Sequence, residues 1–154
     1  MTTLSADVIK SLQGKTLATA ESCTGGMIGA SLTAVAGSSS VFKGGIISYT
    51  NEVKHNLLKV SEDMLNRFGA VSAPVAEAMA AGARKALGAD IAVSVTGLAG
   101  PGGDEFGNPV GTVFVGYCDN AVCLSRQYLF SGNREQVRQQ AAERALMLIL
   151  EQIS

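Results

Sequence analysis

The sequence predicts an α/β fold, a three-layer α/β/α sandwich built on a mixed, mostly parallel sheet. Two observations lead to this prediction. Strand-like apolar segments alternate with helical ones along the chain, and the last two strand-like segments are joined by a short turn. With 154 residues, 47% of them hydrophobic and 16% charged, the chain can bury a real core, so we expect one domain over residues 1–154.

Two strands and four helices are predicted in the first half of the chain. Apolar residues spaced four apart, or a capping residue ahead of the segment, indicate the helices, and short apolar runs indicate the strands. In order, we expect a helix over 4–12, a strand over 16–21, a helix over 27–35, a strand over 45–50, a helix capped by Asn51 and ending at Leu58, and a helix starting at Ser61.

The second half adds three strands and two longer helices. We expect a helix over 74–87, a strand over 90–96, a glycine-rich loop over 97–109, hairpin strands over 111–118 and 122–130, and a last helix opened by Asn133. In the strand over 90–96, Ile91, Val93 and Val95 should share one face and small residues the other. The hairpin makes the predicted sheet mixed.

Composition excludes several classes of function. The formal net charge is −1, so no basic surface suggests a nucleic-acid partner. No apolar run approaches the ~18 residues that a membrane span needs, and the first residues lack the pattern of a signal peptide. We therefore expect a cytoplasmic protein that binds neither nucleic acid nor membrane.

Cysteine and histidine usage argues against a metal site. The three cysteines, Cys23, Cys118 and Cys123, are odd in number and lack C-x-x-C spacing, which indicates neither a disulfide framework nor a zinc site. His55 is the only histidine, so a Ser-His-Asp triad would have to use it. A histidine in a polar segment is more often a surface residue.

The stretch from Glu21 to Gly26 is the most informative part of the sequence. It follows a buried strand and precedes a helix, so the hydroxyl of Ser22 should sit where the strand turns into the helix. Free N–H groups of the helix's first turn would stand beside it. Ser22 is then a candidate nucleophile, and the alternative is a helix cap. Cys23 is the neighbouring candidate, although a thiol here is more often a small buried hydrophobe.

Three polar or glycine-rich turns should meet at one edge of the sheet. They follow the strands that end near Glu21, Tyr49 and Thr96, and ligands bind beyond the carboxyl ends of parallel strands. With no plausible histidine base, Lys54 is the natural partner for Ser22, provided that burial lowers its pKa by roughly three units from ~10.4. Considered without the other turns, Lys54 is better interpreted as a solvent-exposed residue of a helix.

Two further segments suggest anion binding. The glycine-rich loop over 97–103 lacks the spacing of nucleotide-binding fingerprints, yet its amides could form a nest for an anion. Arg134 lies at a helix start and shares a face with Arg138, where a phosphate would be favoured. The alternatives are a flexible surface turn and a solvated helix face.

Taken together, these segments resemble the C-terminal domain of the CinA family, the nicotinamide-mononucleotide amidases. The resemblance covers nearly the whole chain from Leu17 onward. The matching elements occur in family order: Ala20-Glu21-Ser22-Cys23-Thr24-Gly25-Gly26, Gly37-Ser38-Ser39, Tyr49-Thr50-Asn51-Glu52-Val53-Lys54, Gly69-Ala70-Val71-Ser72, Thr96-Gly97-Leu98-Ala99-Gly100-Pro101, Pro109-Val110-Gly111-Thr112-Val113, and Gly132-Asn133-Arg134 with Val137-Arg138.

The resemblance implies hydrolysis of nicotinamide mononucleotide to nicotinate mononucleotide and ammonia, with no metal and no cofactor, usually in a homo-oligomer. It implies a nucleophilic role for Ser22, a base role for Lys54, and polar contributions from Tyr49 and Thr96. The residues expected to contact the substrate are Thr24, Gly25, Gly26, Ser39, Gly97, Ala99, Gly100 and Arg134.

Two departures from the family pattern affect these expectations. Longer members carry an N-terminal domain with pyrophosphatase activity, and we do not expect that activity here. Many relatives have a lysine where this chain has Asn108, so the glycine-rich loop could hold its ligand differently. Two alternatives remain: a non-catalytic nucleotide- or partner-binding module on the same fold, and a Ser-Lys amidase of another small amide.

Overall fold

The computed structural model describes residues 1–154 and contains six α-helices and five strands. In chain order the elements are α1 (Thr2–Ser11), β1 (Leu17–Glu21), α2 (Met27–Thr33), a short 3₁₀ helix (Ser38–Ser40), β2 (Phe42–Ile47), α3 (Asn51–Leu58), α4 (Glu62–Phe68), α5 (Ala73–Leu87), β3 (Ile91–Gly97), β4 (Thr112–Cys118), β5 (Cys123–Leu129) and α6 (Arg134–Ile153).

The strands form a single sheet in the order β2-β1-β3-β4-β5. Strand β1 pairs in parallel with both β2 and β3, whereas β4 runs antiparallel to β3 and to β5. Four of the five strands therefore point the same way, and the prediction of a mixed, mostly parallel sheet is confirmed. The carboxyl ends of β1, β2 and β3 meet at one edge, where the three predicted turns lie.

Helices cover both faces of the sheet, and the two faces have separate cores. On one face Val93 and Val95 of β3 pack with α1, α2 and α6, while on the other Ala18, Ala20 and Ala92 pack with α5. Alternation along each strand sends successive side chains to opposite faces. The small residues of β1 and β3 let α5 lie close to the sheet, as the pattern over 90–96 predicted.

The largest difference from the predicted boundaries is at β2. Strand β2 starts at Phe42 and ends at Ile47, three residues earlier at each end than predicted, because a glycine usually marks the end of a strand and not its interior. Gly45 is instead inside the strand, where a side chain would collide with Thr19. The chain then turns, so that Thr50 caps α3 by accepting from the Val53 N–H, and Asn51 is the first helical residue.

The hairpin also corrects the expectation about cysteines. Antiparallel pairing of β4 and β5 sets Cys118 directly opposite Cys123, and their sulfur atoms are bonded to each other. The sequence separation of five residues hid this pairing, because only the position of the turn brings the two residues into register. Cys23 is buried and remains a free thiol. No helix is both long enough and apolar enough to cross a membrane.

Candidate active site

A cavity of about 420 Å³ opens at the carboxyl edge of the parallel strands, within the size range of small-molecule sites. The loops after β1, β2 and β3 contribute to its wall, and α3 and the start of α6 complete it. The lining residues are Ser22, Cys23, Tyr49, Asn51, Lys54, Ala70, Val71, Thr96, Gly97, Leu98, Ala99, Gly100, Gly102 and Arg134.

Ser22 and Lys54 are in direct contact inside this cavity. Ser22 follows β1, and its N–H donates to the carbonyl of Val95, which fixes the turn against β3. Lys54 lies on α3 and its Nζ is 3.1 Å from the Ser22 Oγ. The amine also donates to the carbonyl oxygens of Ser48, at 2.8 Å, and Tyr49, at 3.5 Å. The two side chains predicted to act together are thus within hydrogen-bonding distance.

The Lys54 amine is buried without a counter-ion. Only 2% of the residue is exposed, and neither of the two ion pairs in the molecule involves it. Desolvation disfavours the charged amine and lowers the Lys54 pKa from 10.5 to about 8. At pH 7 roughly a tenth of an amine with this pKa is neutral, and only the neutral form of the nitrogen can accept a proton from a hydroxyl.

Cys23 lacks the properties of a nucleophile. Its side chain is buried, and that burial raises the pKa of the thiol to about 11. A thiolate, not a thiol, attacks carbon, so Cys23 stays protonated where Ser22 can be activated. The interpretation of Cys23 as a small buried hydrophobe agrees with its place in the larger core.

Two backbone amides after Ser22 are left without an acceptor. The N–H groups of Cys23 and Thr24 make no hydrogen bond, whereas the Gly25 N–H donates to the Ser22 carbonyl. The Gly26 N–H donates to the carboxylate of Glu21. The free donors near the nucleophile therefore belong to the turn itself, and not to the first turn of α2 as the sequence suggested.

Thr96 stands at the end of β3, on the wall of the same cavity. It is 1% exposed, and its hydroxyl donates to the Ala70 carbonyl at 2.8 Å. This hydrogen bond uses the hydroxyl proton, so the oxygen presents lone pairs to any donor in the cavity. Thr96 is therefore suited to accept a hydrogen bond from a bound molecule.

Tyr49 and Arg134 meet at the mouth of the cavity. The guanidinium of Arg134 donates to the Gly100 carbonyl at 2.6 Å and to the Tyr49 hydroxyl at 3.3 Å. Tyr49 is 61% exposed, and it is its backbone carbonyl that contacts Lys54. The Tyr49 side chain thus belongs to the entrance, away from the Ser22–Lys54 pair.

The glycine-rich loop supplies more unpaired donors beside Arg134. The N–H groups of Ala99, Gly100 and Gly102 have no acceptor, and all three residues line the cavity. No acidic side chain lines it, while Lys54 and Arg134 both do. Backbone amides and the Arg134 guanidinium, with no opposing carboxylate, make this cavity favourable for an anion.

Four residues expected at the site do not line the cavity: Thr24, Gly25, Gly26 and Ser39. Thr24 donates its hydroxyl to Glu21, and the amides of both glycines are already bonded. Ser39 lies in the 3₁₀ helix that precedes β2, at the amino ends of the parallel strands. That is the edge opposite Ser22, so the structure does not bring Ser39 to the site.

Several lining residues were not predicted. Asn51, Ala70 and Val71 contribute to the wall, and their only sequence signal was their place in the matching segments. The Ser48 carbonyl, which accepts the shortest hydrogen bond of Lys54, carries no sequence signal because it is a backbone atom.

His55 lies outside this cavity. Its Nδ1 is 2.8 Å from the Val60 carbonyl oxygen, and its Nε2 is 3.6 Å from a carboxylate oxygen of Glu62. The ring therefore faces α4 and cannot assist Ser22. No group of three or more His, Cys, Asp or Glu side chains is arranged to hold a metal ion.

The chain is similar to proteins of one known family. Residues 1–153 match the family model of the CinA C-terminal domain. A CinA-like protein of Geobacter sp. strain M21 is 53% identical over 125 residues, which are 81% of this chain and 30% of that protein. A CinA-like protein of Mycolicibacterium gilvum is 48% identical over 144 residues, which are 93% of this chain and 34% of that protein. The chain thus spans about a third of the length of these relatives.

Solved structures show the same fold. A competence-damaged protein (CinA) superfamily protein from Klebsiella pneumoniae superposes with a TM-score of 0.96 at 34% identity, covering 99% of this chain and 96% of that one. A competence/damage-inducible protein from Agrobacterium tumefaciens gives a TM-score of 0.94 at 37% identity, covering 97% and 93%. Both sequence and structure lead to one conclusion: the chain belongs to the CinA C-terminal domain family.

Proposed function

We propose that this protein is a nicotinamide-nucleotide amidase, which hydrolyses nicotinamide mononucleotide to nicotinate mononucleotide and ammonia. The observation that carries the proposal is the contact of 3.1 Å between the Lys54 Nζ and the Ser22 Oγ, in a cavity with no acidic side chain. A serine beside a neutral lysine is a known form of activated nucleophile.

The first half of the reaction forms an acyl-enzyme. The Ser22 Oγ attacks the carboxamide carbon while its proton moves to the Lys54 Nζ. The carbonyl oxygen becomes an oxyanion, which the free N–H of Cys23, a residue that lines the cavity, can stabilise. Lys54, now charged, gives its proton to the departing nitrogen as the C–N bond breaks, and ammonia leaves.

Water completes the cycle. Lys54 is neutral again and takes a proton from a water molecule, whose oxygen attacks the acyl carbon. The bond to the Ser22 Oγ then breaks and the hydroxyl regains the proton from Lys54. The product leaves as a carboxylic acid, which loses its proton to solvent to become the carboxylate, and both side chains are restored.

The remainder of the cavity suits a phosphorylated substrate. The unpaired amides of Ala99, Gly100 and Gly102 lie near the Arg134 guanidinium, and together they offer charge-assisted hydrogen bonds to a phosphate. The oxygen of Thr96 is available to accept from the carboxamide NH₂. Because a carboxamide offers few atoms to hold, binding energy from the remote phosphate should drive much of the catalysis.

A binding module of the same fold is the alternative from another class. Such a module would gain nothing from burying a lysine amine without a counter-ion, since the desolvation destabilises the charged form. The lowered Lys54 pKa is therefore the feature that favours an enzyme. A Ser-Lys amidase of a different small amide would share this feature, so the substrate has to be tested directly.

The test is a comparison of three amides with the purified protein. Ammonia and the acid product are measured with nicotinamide mononucleotide, the unphosphorylated riboside and free nicotinamide. We expect rapid hydrolysis of the mononucleotide and slow hydrolysis of the other two. Preferred hydrolysis of free nicotinamide would contradict the nucleotide-specific function, and binding of the mononucleotide without ammonia release would favour the binding module.

A further inference from the structure

The turn that carries Ser22 is held from one side by a buried carboxylate. Glu21 is 2% exposed, and its two oxygens accept four hydrogen bonds of 2.7–3.2 Å. The donors are the Thr24 hydroxyl and the N–H groups of Gly26, Ile28 and Gly29. The carboxylate thus occupies the start of α2, where it neutralises the positive end of the helix.

The same turn is held from the other side by Arg138 of α6. Its Nε donates to the Cys23 carbonyl at 2.9 Å, and its Nη2 lies 3.4 Å from the Thr24 carbonyl. Gly25 leaves room for this approach, because a side-chain carbon there would lie 3.3 Å from the Arg138 Nη2. Arg138 is half-buried and does not line the cavity, so it contacts the turn and not the substrate.

The hydrogen bonds of Glu21 and Arg138 involve the carbonyl oxygens of Cys23 and Thr24, the Thr24 hydroxyl and the N–H groups that follow. The N–H groups of Cys23 and Thr24 themselves remain without an acceptor. Of the two residues, Cys23 lines the cavity, and Arg138 holds the carbonyl of this same residue and so fixes the turn that carries the Cys23 N–H. Glu21 meanwhile keeps the start of α2 from competing for the same anion. We propose that Glu21 and Arg138 are positioning residues that hold the oxyanion site of this enzyme.

This inference rests on the proposed function, but one probe tests it without the natural substrate. A fluorophosphonate reacts with an activated serine: the Ser22 Oγ bonds to phosphorus, fluoride leaves, and the hydroxyl proton passes to Lys54. The phosphoryl oxygen then occupies the place of the oxyanion. The rate of labelling at Ser22 and the labelled fraction at completion are measured separately by intact-protein mass spectrometry.

The variants are Glu21→Gln, which keeps the side chain's shape, and Arg138→Met and Arg138→Lys. Since loss of one oxyanion donor slows turnover by ~10²–10³, displacement of the turn should slow labelling and kcat by about 10- to 100-fold. The Arg138→Met variant should react more slowly than Arg138→Lys, because lysine retains a cationic group that can donate hydrogen bonds. KM should change little. Glu77→Gln and Arg144→Met are matched controls, because these side chains contact Ser125 and Tyr128 away from the site.

The labelled fraction separates positioning from folding. A residue that only supports the fold would lower the fraction of protein that labels, whereas a positioning residue lowers the rate of complete labelling. Glu21 and Arg138 variants that label and turn over at the unmodified rate would overturn the inference while leaving the proposed function intact. Loss confined to the labelled fraction would overturn it too. An unmodified protein that neither labels nor hydrolyses the mononucleotide would instead refute the proposed function.

Discussion

Lys54 can serve as a base only when its amine is neutral, so hydrolysis should rise steeply with pH. With a pKa of about 8, the neutral fraction grows from roughly 1% at pH 6 to roughly 90% at pH 9. The kcat should follow this increase and level off above pH 9. The profile of kcat at saturating substrate gives the pKa of the base in the enzyme–substrate complex, and the profile of kcat/KM gives its pKa in the free enzyme.

Substitutions at Lys54 separate its basicity from its bulk. Lys54→Met keeps the length of the side chain without the amine and should be inactive at every pH. Lys54→Arg should not recover activity, because a guanidinium cannot accept the proton. A kcat that is flat between pH 6 and 9, or an active Met variant, would refute the assignment of the base.

The same buried amine gives an independent prediction about stability. The folded protein binds the Lys54 proton more weakly than the unfolded chain does, so this residue destabilises the fold below pH 8 and ceases to do so above pH 10.5. The free energy of unfolding of the unmodified protein, relative to Lys54→Met, should therefore rise by roughly 3 kcal/mol between pH 7 and 10.5. Denaturant unfolding at several pH values measures it, and a constant difference would contradict the lowered pKa.

Substitutions at three further positions test other parts of the site. Arg134→Ala should lower kcat/KM for nicotinamide mononucleotide about 10- to 150-fold, since charge-assisted hydrogen bonds contribute roughly 1.5–3 kcal/mol. The same substitution should affect hydrolysis of the riboside much less. Equal losses on the two substrates would mean that the phosphate is held elsewhere. Thr96→Val should lower kcat about tenfold, the value of one neutral hydrogen bond, and Thr96→Ser should restore it. Cys23→Ala should retain turnover in a standard ammonia assay, and an inactive but folded variant would reopen the question of the nucleophile.

Much of the architecture followed from local patterns. Alternation along β3 predicted which side chains face each core, and the Asn133 capping residue predicted the start of α6, where the structure shows a complete capping box with Gln136. The boundaries of β2 were wrong because glycines usually end strands. Gly45 is tolerated inside this edge strand since it removes a collision with Thr19, a long-range contact that no local pattern reveals.

The sequence predicted the side chains of the site that directly follow strands. It did not predict the contacts that are made by backbone N–H and carbonyl groups. Ser22 and Lys54 could be paired because parallel strands bring their carboxyl ends together. The contacts of Glu21 could not be predicted, because the sequence does not show that its carboxylate accepts hydrogen bonds from the backbone N–H groups of α2. The same holds for Arg138, whose partners are carbonyl oxygens more than a hundred residues away in the chain.

The most direct test of the central claim is the rate of ammonia release from nicotinamide mononucleotide by the unmodified protein and by Ser22→Ala, measured side by side. Loss of the nucleophile should lower turnover roughly 10³-fold or more, while circular dichroism shows an unchanged fold, because truncating a small side chain at a turn costs only ~1 kcal/mol. A folded Ser22→Ala protein that releases ammonia at a near-normal rate would contradict covalent catalysis by Ser22.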